Sequence, residues 1–423
     1  MLRKRMTRIE LKYGRSTVPL KYDAARFDVI QTGFHPAPLS DVEIGSKLDR
    51  PIGSPPLEDL IDHGETVLLV VPDATRETGS GQIVNLLVRR LIANGTAPQE
   101  IAIIFATGIH RKVTDDEKRR LLTPFIAQRI KTIDHDASAP IKNFRVGETA
   151  GGISVELNWT LTEYDHIVLV GGVTFHYFAG FTGGRKLICP GLASTRTITE
   201  THKLAFDCET KSRRAGVETA RLDGNVVHET FVEAVRFAKP IFCISTITND
   251  AGEIVDLFCG DWIASHRAAC DAYAASHTIR IPEKRDLVIA SCGGYPYDIN
   301  LIQAHKTLEA ASKACNDGGT IIMLAECPDG IGRSDYLDWF AGKNSGELAE
   351  TLCKNYQVNG QTAWNLLRRA EEFDVRILTS LSNDVVAKTR MKKNVRESEI
   401  QKLLDNVPSG YLLPEGATNQ IKV

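Results

Sequence analysis

The sequence predicts an α/β protein built from two domains with mostly parallel sheets. Continuous apolar runs such as Val67-Leu-Leu-Val-Val71 and Ile101-Ala-Ile-Ile-Phe-Ala106 are typical of strands covered on both faces. Helical segments follow such runs, and this alternation is typical of parallel βαβ units with right-handed crossovers. The length of 423 residues allows two or three domains of about 150 residues each.

The first regular elements are expected after a Pro- and Gly-rich stretch, residues 36–56, which is predicted to be irregular. The strand 67–71 then leads to a helix that we expect Ser80 to cap and Asn94-Gly95 to end. The apolar face of this helix is expected to comprise Ile83, Leu86, Leu87 and Leu91.

Further along, Thr114 and Glu117 have the spacing of a capping box, which predicts the start of another helix. Ile167-Val-Leu-Val170 is a third buried strand. The turn-rich segment 249–252 predicts an antiparallel connection between strands at 241–244 and 254–258. A helix is expected from about 261 to 276.

A second series of strands and helices begins after the polar segment 281–286, which contains a proline and is the predicted linker. Its strands are predicted at 287–290, 320–324 and 375–378. We therefore expect an N-terminal domain at 1–280 and a C-terminal domain at 286–423.

Composition excludes several classes of protein. The 51 basic and 53 acidic residues give a net charge of −2, which argues against a nucleic-acid binder. No apolar run is long enough to cross a bilayer, and Glu10, Lys12 and Arg15 interrupt any signal-peptide core. The nine cysteines include no CxxC pair, so we expect reduced thiols and a cytoplasmic protein.

Polar residues follow the predicted strands where each strand ends. Four loops carry them: Asp73-Ala-Thr-Arg76, Thr107-Gly-Ile-His-Arg111, the segment 171–186 and Ser291-Cys-Gly-Gly-Tyr-Pro296. Ligands of open α/β sheets bind beyond the carboxyl ends of the strands. Any one of these loops can be an ordinary connection, but together they indicate one site assembled from several loops, at the strand ends and the domain interface.

Several of these residues have an ordinary structural alternative. His110 can be a surface histidine, His176 a core histidine bonded to a backbone group, and His202 a surface residue of a polar helix. Arg76 can be a surface charge or a bidentate carboxylate clamp.

The glycine loop Gly180-Phe-Thr-Gly-Gly-Arg-Lys186 is not a Walker A loop, because Leu187 stands where a hydroxyl belongs. No GxGxxG follows the first strand, so a classical dinucleotide fold is unsupported. Its consecutive backbone N–H groups can still hold one phosphate or carboxylate.

Taken together, these motifs resemble the lactate racemase family, nickel-dependent 2-hydroxyacid racemases and epimerases that use a nickel-pincer nucleotide. The matching pieces are Asp73-x-Thr-Arg76, Gly108-Ile-His-Arg111, His176-Tyr-Phe-Ala-Gly-Phe-Thr-Gly-Gly-Arg-Lys186, Pro190-Gly191, His202 and Tyr295-Pro-x-Asp-x-x-x-x-Gln303-Ala-x-Lys306. The motifs extend from about residue 65 to 310, and the two-domain layout fits the whole chain.

The resemblance implies a role for each matched residue. It implies that Lys186 anchors the cofactor, a nickel-bearing pyridinium-3,5-bisthiocarboxylic acid mononucleotide, through a thioamide, and that His202 is the protein ligand to nickel. It implies that His110 and His176 transfer protons. The remaining implied contacts are Asp73, Thr75, Gly183 and Gly184 to the cofactor, and Arg76, Gln303, Lys306 and Trp364 to the substrate.

One position departs from the family pattern, in which a proline commonly follows the Thr-Arg pair. Glu77 stands there instead and puts an extra acid beside the proposed clamp. The substrate can therefore be lactate or a larger 2-hydroxy acid, such as malate, an aromatic acid or a sugar acid like gluconate.

The implied residues suit the chemistry of inverting a 2-hydroxy acid. Removing the α hydrogen as a proton would leave a carbanion beside a carboxylate, whereas removing it as hydride gives a neutral carbonyl if a base takes the hydroxyl proton. Two imidazoles can serve the two enantiomers near neutral pH. The alternatives are a zinc-dependent hydrolase that uses the same histidines, although no HExxH is present, and a non-catalytic homologue.

Overall fold

A mainly parallel sheet lies at the centre of each of two units of the chain. The computed structural model describes residues 6–34, 36–73, 78–249, 251–393 and 396–423. One unit, called here the central unit, comprises His35–Ala205 and Arg214–Ala275. The other, called here the terminal unit, comprises Met1–Phe34, Phe206–Arg213 and Ser276–Val423.

The β-strands of the described residues are numbered in chain order. They are β1 (Met6–Tyr13), β2 (Ser16–Asp23), β3 (Phe27–Val29), β4 (Val67–Pro72), β5 (Ile101–Ala106), β6 (Lys131–Asp134), β7 (Asn143–Glu148), β8 (Ser154–Asn158), β9 (His166–Gly172), β10 (Phe175–His176), β11 (Gly180–Phe181), β12 (Phe206–Asp207), β13 (Ser212–Arg213), β14 (Phe242–Thr248), β15 (Ile254–Gly260), β16 (Thr278–Arg280), β17 (Arg285–Ser291), β18 (Cys315–Leu324), β19 (Asp374–Leu378), β20 (Gly410–Leu413) and β21 (Gln420–Lys422).

The α-helices are numbered in the same way. They are α1 (Asp41–Leu48), α2 (Ser80–Ala93), α3 (Asp115–Leu121), α4 (Pro124–Arg129), α5 (Thr195–Lys203), α6 (Val226–Arg236), α7 (Ala264–His277), α8 (Leu301–Ala304), α9 (Thr307–Ala314), α10 (Ser345–Lys354), α11 (Val358–Glu372), α12 (Asn383–Lys388) and α13 (Glu397–Asn406). Within these described segments, none of the helices is both long enough and apolar enough to cross a membrane.

The sheet of the central unit has the strand order β15-β14-β9-β4-β5-β6. All neighbouring pairs are parallel except β14 and β15, which pair antiparallel as the turn at 249–252 predicted. Every residue of β4 is buried, as expected of a strand covered on both faces. Because β4, β5 and β9 are parallel neighbours, their carboxyl ends open onto one edge of the sheet.

The sheet of the terminal unit has the order β19-β18-β17-β20-β3 and is parallel throughout. Its edge strand β3 comes from the beginning of the chain, where Phe27 pairs with Gly410. The hairpin β12-β13 also belongs to this unit, where Arg213 bonds to the buried carboxylate of Glu309 at 2.7 Å. Distant parts of the chain therefore build this unit, whereas residues 1–280 were expected to form one domain.

Three local predictions were wrong. Regular structure begins before the stretch 36–56, since β1, β2 and β3 precede it. The stretch 36–56 contains helix α1, because Ser40 and Glu43 form a capping box and Ile44 and Leu48 provide a buried face. Helix α2 begins at Ser80 as its first residue, and Gly79 occupies the N-cap position. The capping box at Thr114 and Glu117 is confirmed at the start of α3.

The expectation of nine reduced thiols was also wrong. Cys208 and Cys353 form a disulfide within the terminal unit. Cys208 lies in the turn of the β12-β13 hairpin and Cys353 lies near the end of α10, so folding brings together two residues 145 positions apart. The other seven cysteines are free and buried: Cys189, Cys243, Cys259, Cys270, Cys292, Cys315 and Cys327.

Candidate active site

The ends of β4 and β5 bring an acid and an imidazole together. Asp73 follows β4 and is buried, while His110 lies four residues beyond the end of β5 with a side chain that is 45% exposed. The Nδ1 atom of His110 lies 2.7 Å from Oδ2 of Asp73. A carboxylate accepts only, so Nδ1 carries the proton and Nε2 of the neutral ring presents a lone pair.

The end of β9 leads into the loop that holds the glycines. Residues of β10 and β11 pair as a short hairpin, and the Thr182 hydroxyl then donates to the Gly172 carbonyl at 3.0 Å. Gly183 has φ +73°, and a Cβ there would meet that same carbonyl oxygen at 2.8 Å. Glycine is therefore needed for this loop to lie directly on the end of the strand.

A single 3-10 turn, Gly184–Leu187, carries Lys186. Gly184 has φ +49°, and a Cβ there would meet the ring of His266 at 2.5 Å. The ammonium of Lys186 lies 5.6 Å from the centre of the Phe178 ring. At that distance the aromatic face attracts the cation, which gives the lysine a defined direction.

His202 lies in the last turn of α5 and is only 6% exposed. Its Nδ1 donates to the Ile198 carbonyl at 2.8 Å, so the neutral ring has its lone pair on Nε2. Burial, together with the nearby Lys186 ammonium, lowers the pKa of His202 to about 3. The imidazole is therefore neutral across the physiological range, in the state that metals bind.

His176 at the end of β10 has the opposite arrangement of ring protons. The Ala179 backbone N–H donates to its Nδ1 at 3.2 Å, so the neutral ring carries its proton on Nε2. The ring of His176 is buried and contacts Phe178 edge-on with centroids 4.4 Å apart.

Phe178 is the residue on which these groups converge, and the sequence analysis missed it. Its ring lies 5.2 Å from that of His202, in addition to the contacts with His176 and Lys186. The available signal was an aromatic residue between His176 and the glycine loop, but nothing in the sequence shows which side chains an aromatic ring will touch. The structure thus brings together Lys186, His176 and His202 around one ring.

The residues predicted from the second half of the chain lie in the terminal unit. Asn300 caps α8 by accepting from the Gln303 backbone N–H at 3.0 Å, and Lys306 Nζ donates to Gln303 Oε1 at 2.6 Å. These two side chains share one face, as their spacing predicted. Trp364 is only 3% exposed and packs edge-on against Phe206 in the core of this unit, so its role as a lining residue stays a prediction.

Thr75 and Arg76, with Glu77 beside them, lie outside the described residues. Their roles therefore stay predictions. The described residue that precedes them, Asp73, is fixed by its contact with His110.

Comparison with known protein families gives the same assignment in both halves of the chain. Residues 13–214 match the lactate racemase N-terminal domain, and residues 281–405 match the lactate racemase C-terminal domain.

Two characterised relatives are similar over most of their length. A lactate racemase from Thermoanaerobacterium thermosaccharolyticum is 30% identical over 339 residues, which cover 79% of this chain and 78% of that protein. A lactate racemase from Lactiplantibacillus plantarum is 33% identical over 332 residues, which cover 77% and 76%.

Two solved structures have the same fold as this chain. The lactate racemase apoprotein from T. thermosaccharolyticum superposes with a TM-score of 0.87 at 27% identity, over 99% of this chain and 100% of that one. A protein from Thermotoga maritima shares the fold, with a TM-score of 0.68 at 19% identity over 92% of this chain and 100% of that one. Both family domains, in order and over most of the sequence, show that the chain belongs to the lactate racemase family and is an isomerase.

Proposed function

We propose that this isomerase inverts the C2 centre of a 2-hydroxy acid through a 2-keto acid, by proton-coupled hydride transfer to a nickel-pincer nucleotide. The observation that carries the proposal is the convergence of Lys186, His176 and His202 on Phe178. The contact between His110 and Asp73 at neighbouring strand ends supports it.

The donor set fits a cofactor that brings most of its own metal ligands. Within the described residues, no group of three or more His, Cys, Asp and Glu side chains is arranged to hold a metal. His202 nevertheless presents one neutral imidazole whose Nδ1 is already bonded to Ile198. Lys186 would anchor the nucleotide, His202 would supply one nitrogen to nickel, and the loop at Gly183 and Gly184 would lie against the anchored group.

When bound, the nucleotide supplies a hydride acceptor and donor, and the chain's own residues move protons and hold the substrate. Nε2 of His110 would take the substrate hydroxyl proton, because Nδ1 already donates to Asp73. The Asp73 carboxylate would stabilise the imidazolium that results. The family resemblance implies that Asp73 contacts the cofactor, but we propose that its main role is to position His110.

His176 would act from the other tautomer of the neutral ring. Its Nδ1 accepts from the Ala179 N–H, so Nε2–H can donate a hydrogen bond to a keto oxygen. To give that oxygen a proton, His176 would act as the imidazolium, which is left as a neutral ring after the transfer. A single inversion therefore needs one neutral imidazole that takes a proton and one imidazolium that returns a proton.

Substrate binding is proposed from the family pattern. Arg76 would hold the carboxylate in a bidentate contact, with Gln303 and Lys306 as further contacts. The bond between Lys306 Nζ and Gln303 Oε1 keeps these two polar groups together. Lactate is the first candidate because the relatives are lactate racemases, and larger 2-hydroxy acids are the second because Glu77 replaces a proline.

A zinc-dependent hydrolase is less well supported. His110 is bonded to Asp73, and the contacts of His176 and His202 are with Phe178 rather than with a shared ligand position. A non-catalytic homologue would have no use for an amine directed beside a buried imidazole, as Lys186 is.

The deciding experiment loads the protein by coexpression with the cofactor-making enzymes and measures its intact mass. We expect an adduct in the parent protein and in His110→Ala and His176→Ala, but not in Lys186→Ala. Lys203→Ala, which changes an exposed lysine of the same unit, is the matched control and should retain the adduct. An unmodified mass with bound zinc would contradict the proposal.

A chiral assay of the loaded protein against a panel of 2-hydroxy acids then identifies the substrate. His110→Ala and His176→Ala should each stop interconversion of the enantiomers while keeping the adduct. Deuterium at the substrate C2 should be retained in product formed in ordinary water. Its washout would indicate proton abstraction and would overturn the hydride mechanism.

A further inference from the structure

A cavity with polar groups lies in the central unit, beside the 3-10 turn that carries Arg185 and Lys186. Its interior contains the guanidinium of Arg185 with the imidazoles of His228 and His266, and its outer part contains Trp262 and Arg267. Apolar walls come from Leu222, Val232 and Ile263. The cavity has an empty volume of about 270 Å³, which includes its open mouth.

Arg185 is a buried cation that pairs with no carboxylate of the described residues. It is only 1% exposed, and its bonds go to the Ala179 carbonyl at 2.6 Å and to Nε2 of His266 at 3.1 Å. Its Nε is buried without a hydrogen-bond partner. An unpaired charge taken out of water is strongly unfavourable, so a site of this kind calls for a counter-charge.

Nε2 of His266 cannot satisfy both of its neighbours, because the Arg185 guanidinium needs an acceptor and the Thr182 carbonyl needs a donor. Nε2 of His266 also lies 2.9 Å from the Thr182 carbonyl. If Nε2 carries the proton, it donates to Thr182 and leaves the guanidinium without an acceptor there; if it accepts from Arg185, the carbonyl loses its donor. Either arrangement leaves one buried polar group unsatisfied.

The other groups at the cavity add donors rather than acids. Nδ1 of His228 is buried and has no hydrogen-bond partner in the part of the chain that the structure describes. Arg267 at the mouth is already paired with Asp223, whose side chain is 80% exposed. Burial and the positive charge of Arg185 and Arg267 lower the pKa of His228 to about 3. The interior therefore carries one uncompensated positive charge and an unused imidazole nitrogen.

We propose that this cavity binds a small monovalent anion between the Arg185 guanidinium and Nδ1 of His228. One negative charge neutralises the one unpaired cation, and His228 donates to the anion in its Nδ1–H tautomer. The apolar walls favour a weakly hydrated anion such as a halide or a small carboxylate over sulfate or phosphate, which give up water less readily. The site is independent of the proposed racemase chemistry, because neither Arg185 nor His228 is assigned a role there.

The test measures the thermal unfolding midpoint of the full-length protein without cofactor, titrated with sodium bromide at constant ionic strength. A bulky sulfonate salt, too large for the cavity, serves as the replacement electrolyte. We expect a saturable rise of the midpoint with bromide and a similar rise with formate, whereas sulfate should give only the gradual, unsaturable rise of an excluded salt. His228→Leu should weaken the apparent affinity by about tenfold or more, as expected for losing a hydrogen bond to a charged group.

His63→Leu, an exposed histidine of the same unit, is the matched control and should retain the parent response. Arg185→Met should abolish the response if it folds, and His228→Leu decides the question if it does not. Bromide soaked into crystals should give an anomalous peak between Arg185 and His228. A rise with bromide that does not saturate, a rise equal in His228→Leu and the parent, or a response to bulky sulfonate alone would overturn the proposal.

Discussion

Nδ1 of His110 lies 2.7 Å from Oδ2 of Asp73, although the two residues follow different strands of the central sheet. A histidine whose Nδ1 proton is held by a carboxylate has one neutral tautomer available, in which Nε2 is the acceptor. Asp73 therefore has two candidate roles: it can position His110 as a base, or it can contact the cofactor.

Asp73→Asn tests these roles. A general base contributes about 10²- to 10⁴-fold to a rate, so losing its orienting partner should lower kcat by about 10- to 100-fold. KM should change little and the cofactor adduct should still form, as intact mass will show. Asp73→Glu should restore part of kcat.

The matched control for Asp73→Asn is Glu65→Gln, which removes the carboxylate from a similar pair with His166, at 2.5 Å and away from the site. This control should keep the parent rate. If Asp73→Asn lost the adduct, the carboxylate would belong to cofactor binding instead.

Gly184→Ala should destabilise the central unit and reduce adduct formation at Lys186. The backbone at φ +49° costs a non-glycine residue about 1–3 kcal/mol, and the new Cβ would in addition meet His266 at 2.5 Å. Gly152→Ala is the control, because Gly152 has φ +80° with no atom within 4 Å of an added Cβ. Urea unfolding should show the larger loss for Gly184→Ala, and equal losses would exclude the steric contribution.

The buried His135 should lower the free energy of unfolding as the solution becomes acidic. Burial lowers its pKa to about 4, while Asn158 donates to Nδ1 at 2.8 Å and Nε2 donates to the Ala193 carbonyl at 3.0 Å. The unfolded state binds the proton below about pH 6.5 and the folded state does not until about pH 4. The free energy of unfolding should therefore fall by about 1.4 kcal/mol per pH unit across this window.

The comparison is between unfolding curves at pH 7 and pH 4.5. His135→Gln should be less stable than the parent at pH 7 but should lose less stability on acidification. His63→Gln, which changes an exposed histidine, should follow the parent at both values. Parallel pH profiles of the parent and His135→Gln would rule out this linkage.

The disulfide between Cys208 and Cys353 should be visible in the number of thiols that react in the denatured chain. The denatured chain should show seven thiols without reductant and nine after reduction, because seven of the cysteines are free. Reduction should lower the free energy of unfolding of the terminal unit by about 2–4 kcal/mol, the typical contribution of a disulfide. Cys353→Ser should be equally stable with and without reductant, and nine thiols without reductant would contradict the bond.

Several features could be predicted from sequence because they depend on neighbours along the chain. The strand at Ile101–Ala106 is a run of apolar residues, and the capping box at Thr114 and Glu117 is a contact three residues apart. The helix α1 was missed because the prolines and glycines around it outweighed an equally local signal at Ser40 and Glu43.

The sequence by itself determined the alternation of strands and helices, the family, and the candidate residues at the strand ends, since period and spacing are local properties. Only the tertiary structure decided that β3, from the beginning of the chain, is the edge strand of the terminal sheet, that Cys208 forms a disulfide with Cys353, and that Phe178 contacts Lys186, His176 and His202. It also decided which ring nitrogen of His110, His176 and His202 holds the proton. These outcomes depend on contacts between residues far apart in the chain or on hydrogen bonds to backbone groups, which no local pattern of side chains encodes.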